Sequence, residues 1–590
     1  MDGPFSIRTE KILRGVAASP GIAMGVAHLF VKEIPRVERW PINAKEIPAE
    51  QERLRRAIEK SSKELQKILV FAQQKVGEAK AKVFEAQIMV LNDEYLIDAV
   101  CARIDSEKLN AEFLVSDEIG RYAKMMLAAD DEYMHERAHD MDDLSHRIVR
   151  NLQQEKLISR LEGTPIVVAH TLTPADTMIL SRNQIRGYAT DLGGATSHAA
   201  LFSRSLKIPA VVGLGDVTRE VESGDAVIID GYSGLLIIRP TAARTREFEK
   251  KREHFAQFEA QLAGLKDLPA ETTDKHSVEL SANIELTQEL EYVVLQGSQG
   301  VGLYRTESLL IGRDDFPTEE EQYNEYMRIA ARMYPHRVIM RTFDIGGDKL
   351  APEMAEEANP FLGWRGIRIS LDRPEMFLAQ LRAMLRASTR KNLAIMFPMV
   401  SSVQEVRRAK EFLATAKAAL VSDGVRFDDA IQIGVMIEVP AAALNAAQLA
   451  AEVDFLSIGS NDLVQYLLAV DRGNSLVAGL YDEFDPAVIT TLKHVINAGH
   501  KQNVWVGLCG GMAGNPVAAP LLIGLGIDEL SVVPSVLPEI KKIIRSLSYA
   551  EMVTLSRTAL ALTSGEEIGA LLRKFLVDRL PDLPEETFHA

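Results

Sequence analysis

The chain has 590 residues, a formal net charge of −16 and only two cysteines, Cys101 and Cys509. That length exceeds one ordinary core and predicts about two to four domains, while 47% hydrophobic and 25% charged residues describe a globular chain without a bilayer-spanning apolar run. Two cysteines argue against a disulfide framework or a Cys-rich zinc site, and an acidic chain with no basic tract argues against nucleic-acid binding. Excess acid still permits a basic protein partner. The opening "MDGPFSIRTEKILRG" lacks the apolar core of a secretory signal, so the expected location is cytoplasmic.

In chain order, "VAASPGIAMGVAHLF" (16–30) predicts one or two strands from its Gly/Pro punctuation and alternating small apolar residues. From about Asn43 to Lys156, residues such as Leu54, Ile58, Leu65, Ile68, Leu69, Ala72 and Val76 recur at helical spacing. This stretch reads as an all-helical subdomain. Strand patterns return after residue 160 in "PIVVAH", "IRGYATD", "PAVVGL", "DAVIID" and "GLLIIRP", with room for one or two short helices between them. The helical subdomain is then an insertion in an α/β unit that includes the first strands. A charged helical connector follows, "TAARTREFEKKREHFAQFEAQLAGLKDLP".

The C-terminal half carries eight apolar runs: "VELSANI", "GVGLYR", "RVIMRTF", "LAIMFPM", "IQIGVMIE", "FLSIGSND", "VWVGLCG" and "ELSVVP". Apolar strands alternating with helical segments predict a parallel sheet, and eight of them a closed (β/α)8 TIM barrel. Their C-terminal edges supply Asn283, Arg305, Arg341, Glu438, Asn461, Asp462 and Cys509, at the end where such barrels place their active sites. Any one of these could be turn chemistry alone; the set points to a site.

Arg305 and Arg341 on adjacent strands, with Lys349 and Arg472, form a converging cationic set suited to a phosphate or carboxylate. Glu438 and Asp462 are hard oxygen donors of the kind magnesium takes. Together they indicate phosphoryl transfer; the paired carboxylates alone would also serve sugar hydrolysis. Cys509 stands where an acid or nucleophile belongs, and equally where a small buried hydrophobe would. In "DLGGATSHAA" (191–200), His198 falls at a helix start with Thr196 and Ser197 as candidate caps. Taken alone it could be structural, metal-binding or nucleophilic.

The ordered motifs "ASPGIA", "GGATSH", "GVGLYRTE", "RTFDIGGDK", "NPFLGWRGIR", "IGSNDLVQY", "AVDRGN" and "LCGGMAG" resemble, essentially end to end, the enzyme I family of bacterial phosphoenolpyruvate:sugar phosphotransferase systems. The resemblance implies an α/β multidomain protein. Its expected parts are a swivelling phosphohistidine α/β domain (1–42 and 157–240), a helical subdomain that docks the carrier HPr (43–156), a helical linker (241–265), and a barrel (266–590) that binds phosphoenolpyruvate and Mg²⁺ and forms a homodimer. It implies that His198 is phosphorylated and that Cys509 protonates the enolate as pyruvate forms. Arg305, Arg341, Lys349, Arg365, Asn461 and Arg472 would hold substrate, Glu438 and Asp462 the metal, and Thr173 and Arg204 would support the histidine and its phosphate. No membrane insertion is expected.

The chain departs from the family pattern at three places: Ala195 stands where arginine usually precedes Thr-Ser-His, Gly511 where glutamate usually follows Cys-Gly, and Val439 beside Glu438 in "IEVP". Because His198 must meet both the barrel and the carrier, a domain swivel about the connector is expected. A dikinase-type enzyme would need an ATP module, and no P-loop is present. A nitrogen-regulatory paralogue would usually carry an extra N-terminal sensory domain, and a non-catalytic phosphocarrier or scaffold would release no pyruvate.

Overall fold

The computed structural model describes residues 9–30, 37–76, 78–127, 132–153, 163–194, 197–310, 313, 315–346, 357, 359–474 and 476–588. The chain divides into two compact units, Met1–His254 and Phe255–Ala590.

In the first unit, strands β1 (Lys11–Arg14), β2 (Val16–Ser19) and β3 (Ile22–Phe30) precede a run of helices, Ile47–Val76, Glu78–Leu91, Glu94–Glu107, Ala111–Leu127 and Glu132–Leu152. Strands β4 (Ile166–Ala169), β5 (Gly187–Thr190), β6 (Ala210–Val212), β7 (Ala226–Asp230) and β8 (Leu235–Ile238) follow. All eight lie in one sheet of order β1-β8-β7-β3-β4-β5-β6-β2. Because β3 pairs in parallel with β4 across the whole helical run, that run is an insertion. Its apolar stripe, including Leu54, Ile58, Leu65 and Ala72, is buried with Phe84, Ile104, Leu114 and Ile148, which is why the 3.6-residue spacing was visible in the sequence.

Two details differ from the sequence expectation. Strand β1, "KILR", pairs antiparallel with β8 at the sheet edge; four residues with mostly exposed side chains give no alternation to read. Three helices rather than one or two lie between β4 and β7: Pro174–Arg182, His198–Leu206 and the single turn Val217–Glu220, the last too short to show a period.

The second unit is a closed barrel of eight strands: β9 (Glu279–Ile284), β10 (Gly300–Tyr304), β11 (Arg337–Arg341), β12 (Leu393–Phe397), β13 (Gln432–Ile437), β14 (Phe455–Ile458), β15 (Trp505–Leu508) and β16 (Glu529–Val532). Each pairs in parallel with the next, and β16 returns to β9. Along β12, Ala394 and Met396 pack inside with Leu303, Ile339, Met436 and Phe455. Leu393, Ile395 and Phe397 belong to the large cluster that includes the surrounding helices. Burial on both faces explains why these strands read as unbroken apolar runs. Capping boxes, such as Thr318 with Glu321 and Ser402 with Glu405, start the helices Glu319–Met333 and Val403–Ser422.

Candidate active site

At the C-terminal edge of the barrel, one cavity of about 130 Å³ is lined by Arg305, Arg341, Arg365, Glu438, Asn461, Asp462, Arg472 and Cys509, with Asp344, Phe361, Met436 and backbone of Gly459 and Gly510. Eight residues expected from the sequence thus meet at one place. Drug-sized ligands occupy roughly 300–1,000 Å³, so the occupant of this cavity is small. Arg341 ends β11, Arg305, Glu438 and Cys509 each follow a strand by one residue, and Asn461 and Asp462 stand in the first turn of the helix Ser460–Leu468 after β14.

The innermost charges, on Arg341, Asp344, Arg365, Glu438 and Asp462, are buried, whereas Arg472 at the rim is exposed. Arg365, whose side chain is 4% exposed, donates to Asp344 (3.0 Å) and to Asp462 (2.8 Å). Arg341 pairs with Glu307 and Asp344, each at 3.1 Å. Burial works against both guanidinium charges, but the surrounding carboxylates more than offset it and hold both firmly protonated. Glu438 is also buried, and its Oε1 accepts from the Met399 N–H at 2.6 Å. Burial, then the nearby Asp344 and Asp462, push its carboxyl well above the ordinary range.

Asp462 Oδ1 is buried without a hydrogen-bond partner. An orphan carboxylate oxygen beside a crowded Glu438 fits a hard divalent cation. Among the described residues no group of three or more His, Cys, Asp or Glu side chains forms a metal cage; magnesium, which keeps waters and substrate oxygens, does not require one.

Cys509 is 3% exposed. Its thiol donates toward the Ile458 carbonyl (3.7 Å), and Ser457 Oγ donates to its sulfur (3.4 Å). Burial pushes the thiol up to about 11, with Ser457 opposing and Glu438 adding. At neutral pH this is a proton-bearing thiol, not a nucleophilic thiolate. Asn283 does not line the cavity: its amide donates to the carbonyls of Cys509 (3.0 Å) and Ser531 (3.1 Å), tying β9 to its surroundings.

Sequence alone does not single out Asp344 and Glu307, the acids that pair with Arg341. Both lie inside quoted motifs, "RTFDIGGDK" and "GVGLYRTE", where an acid near an arginine reads as a solvated pair. Lys349 lies outside the described residues, as does the His198 side chain.

In the first unit, the backbone places His198 at the first position of the helix His198–Leu206, and Ser197 Oγ caps it by accepting from the Ala200 N–H at 3.3 Å. Nearby in sequence, buried Asp191 is bonded by His170 (2.9 Å) and Thr218. Burial opposes its charge, but these bonds hold it below the ordinary range. Thr173 caps the helix Pro174–Arg182 in a box with Asp176, and Arg204 donates to the Ala18 carbonyl at 2.9 Å. A wider groove of about 550 Å³ between the helices Ile47–Val76 and Pro174–Arg182, lined by Lys63, Gln66, Lys67, Val70, Phe71 and Arg182, has no carboxylate among these residues.

Arginine forks, crowded carboxylates and a protonated thiol around so small a cavity define a barrel enzyme for a compact, highly charged anion. Comparison with known proteins narrows the class. Residues 259–549 match the family described as PEP-utilising enzyme, PEP-binding domain, residues 14–137 its N-terminal domain, and residues 161–234 its mobile domain. The chain is 43% identical over 572 residues to a phosphoenolpyruvate-protein phosphotransferase of Listeria monocytogenes, covering 96% of this chain and all of that one. It is 42% identical to the protein of that name from Bacillus subtilis (95% and 99% covered) and 41% identical to that from Haemophilus influenzae (96% and 99%). The chain belongs to this phosphoenolpyruvate-protein phosphotransferase family, within the PEP-utilising enzymes. Among the described residues no helix is long and apolar enough to cross a membrane.

Proposed function

We propose that the chain takes the phosphoryl group of phosphoenolpyruvate onto His198, releases pyruvate, and passes the group to a histidine of the carrier HPr as the first step of sugar uptake. The convergence of eight residues on one small cavity carries this reading. Arg305, Arg341, Arg365, Asn461 and Arg472, with Lys349, hold the phosphate and carboxylate of the substrate; the guanidinium forks suit both. Glu438 and Asp462 hold Mg²⁺, which when bound offsets charge on the transferring phosphoryl oxygens. Cys509 keeps its proton through neutral pH and gives it to the enolate carbon as the ketone forms. His198 acts as a neutral imidazole; its place at a capped helix N-terminus favours the neutral ring and then the phosphate anion. Thr173 and Arg204 support that segment through the helix cap and the Ala18 carbonyl.

In the same reading, residues 43–156 dock the carrier, residues 1–42 and 157–240 carry the histidine, and the helix Ala242–Ala263 is the linker about which the two halves swivel. The barrel from 266 onward forms a homodimer, and the protein works in the cytoplasm. The test is pyruvate release. With phosphoenolpyruvate and Mg²⁺ but no carrier, a burst stoichiometric with the chain is expected. Added HPr should turn the burst into steady turnover. No burst would overturn the reading in favour of a non-catalytic scaffold.

A further inference from the structure

Gly511 is a bare position in the turn after Cys509. Apart from its chain neighbours, a Cβ built there meets only two atoms within 4 Å: Asn461 Oδ1 at 3.2 Å and Glu483 Oε1 at 3.7 Å. By covalent geometry, a glutamate's own carboxylate oxygens lie roughly 3–4 Å from its Cβ. Glu483, from the segment between the helices Ser460–Leu468 and Pro486–Lys501, therefore brings a carboxyl oxygen within the radius that the carboxylate of a glutamate at 511 would sweep.

The surroundings connect that carboxyl to the site. Glu483 Oε2 accepts from Asn515 Nδ2 at 3.5 Å. Burial pushes the carboxyl above its ordinary range, with Asn515 opposing and Asp482 adding. Two residues back, the Tyr481 hydroxyl donates to the Asn461 carbonyl at 3.4 Å, and Asn461 Oδ1 accepts from the Gly511 N–H at 2.7 Å. Asn461, Cys509 and Gly510 all line the cavity. One short loop thus reaches the Asn461 backbone through Tyr481 and brings a Glu483 oxygen to the same Gly511 position that Asn461 Oδ1 faces.

We propose that Glu483 is a positioning residue for the proton-donating edge of the site: its carboxyl group fills the side-chain space of residue 511 and, through Asn461 and the Gly510–Gly511 turn, fixes Cys509 against the bound substrate. This rests on the reading above, in which Asn461 holds substrate and Cys509 gives the proton. Positions 483 and 511 then share one carboxylate between them, so that either may carry it but not both.

A double-mutant cycle tests the pairing, with pyruvate release measured on the full chain with Mg²⁺ and HPr. Glu483→Ala empties the space and Gly511→Glu crowds a second carboxyl into it. Each single change is expected to lower kcat on the order of tenfold, with KM held within about twofold. The double variant should return to within about threefold of the parent. Losses that add up in the double variant would overturn the proposal, as would a Glu483→Ala protein that keeps the parent's kcat. Thermal melting of all four proteins is the control, and a kcat loss that merely follows a lowered melting temperature also counts against it. A parent chain that releases no pyruvate would instead sink the functional reading, whatever the pairing of 483 and 511.

Discussion

Arg365→Leu should destabilise the barrel unit by about 3–5 kcal/mol, the scale for removing one partner of a buried ion pair. The leucine fits the apolar company of Phe361, whose ring lies 5.8 Å from the guanidinium, so the cost arises elsewhere. Arg365 bridges Asp344 and Asp462, and both carboxylates are buried. Without it they share a dry pocket with Glu438 and lack one of their positive partners; Arg341 remains on Asp344. Arg365→Lys should recover only part of the loss, since one ammonium cannot reproduce the fork that spans two acids. The penalty should shrink as pH falls, because the orphaned carboxylates of the variant take up protons and lose the charge that made their burial costly. Urea midpoints of parent and variants at neutral and mildly acid pH check both parts; an equal penalty at the two values would show that lost packing, not charge, sets the cost.

Cys509→Ala should slow pyruvate release by about a hundredfold or more, the usual contribution of a positioned general acid, while barely changing the affinity for phosphoenolpyruvate. The thiol is small and buried, so alanine leaves the cavity lining almost intact. The pH dependence has a definite sign. Because the folded thiol is raised above its ordinary value to about 11, the neutral form is favoured in the fold. The stability this confers is complete below the unfolded thiol's titration and is lost as pH rises through about 11. Parent and alanine variant should therefore differ more in stability at neutral pH than near pH 11. Steady-state rates and thermal melts across the alkaline range test the two statements separately.

The barrel was legible because its strands are buried on both faces and separated by helices, two of which, Glu319–Met333 and Val403–Ser422, start in capping boxes. The same burial made the strand ends conspicuous: a charged or polar residue closing an apolar run, as at Arg341, Glu438 and Cys509, is costly unless it has a partner or a task. The acids that neutralise the site were not legible. Asp344 matters because the fold adds Arg365 and Glu438 to its sequence neighbour Arg341, and sequence spacing carries no trace of those two. Glu483 is the sharpest case. It lies 28 residues before Gly511, and only the folded chain shows that its Oε1 comes within 3.7 Å of where a Cβ at 511 would stand. In the first unit, "DLGGATSHAA" disclosed a capped helix start but not the anchoring of Asp191 by His170 and Thr218, since those partners come from two other segments.

The most direct test of phosphoryl transfer through His198 is to locate the label after incubation with phosphoenolpyruvate labelled on phosphorus and Mg²⁺. An acid-labile, base-stable label on the peptide that contains His198 is predicted, chased from the chain by HPr and absent from His198→Ala. Label that persists in His198→Ala would contradict the account.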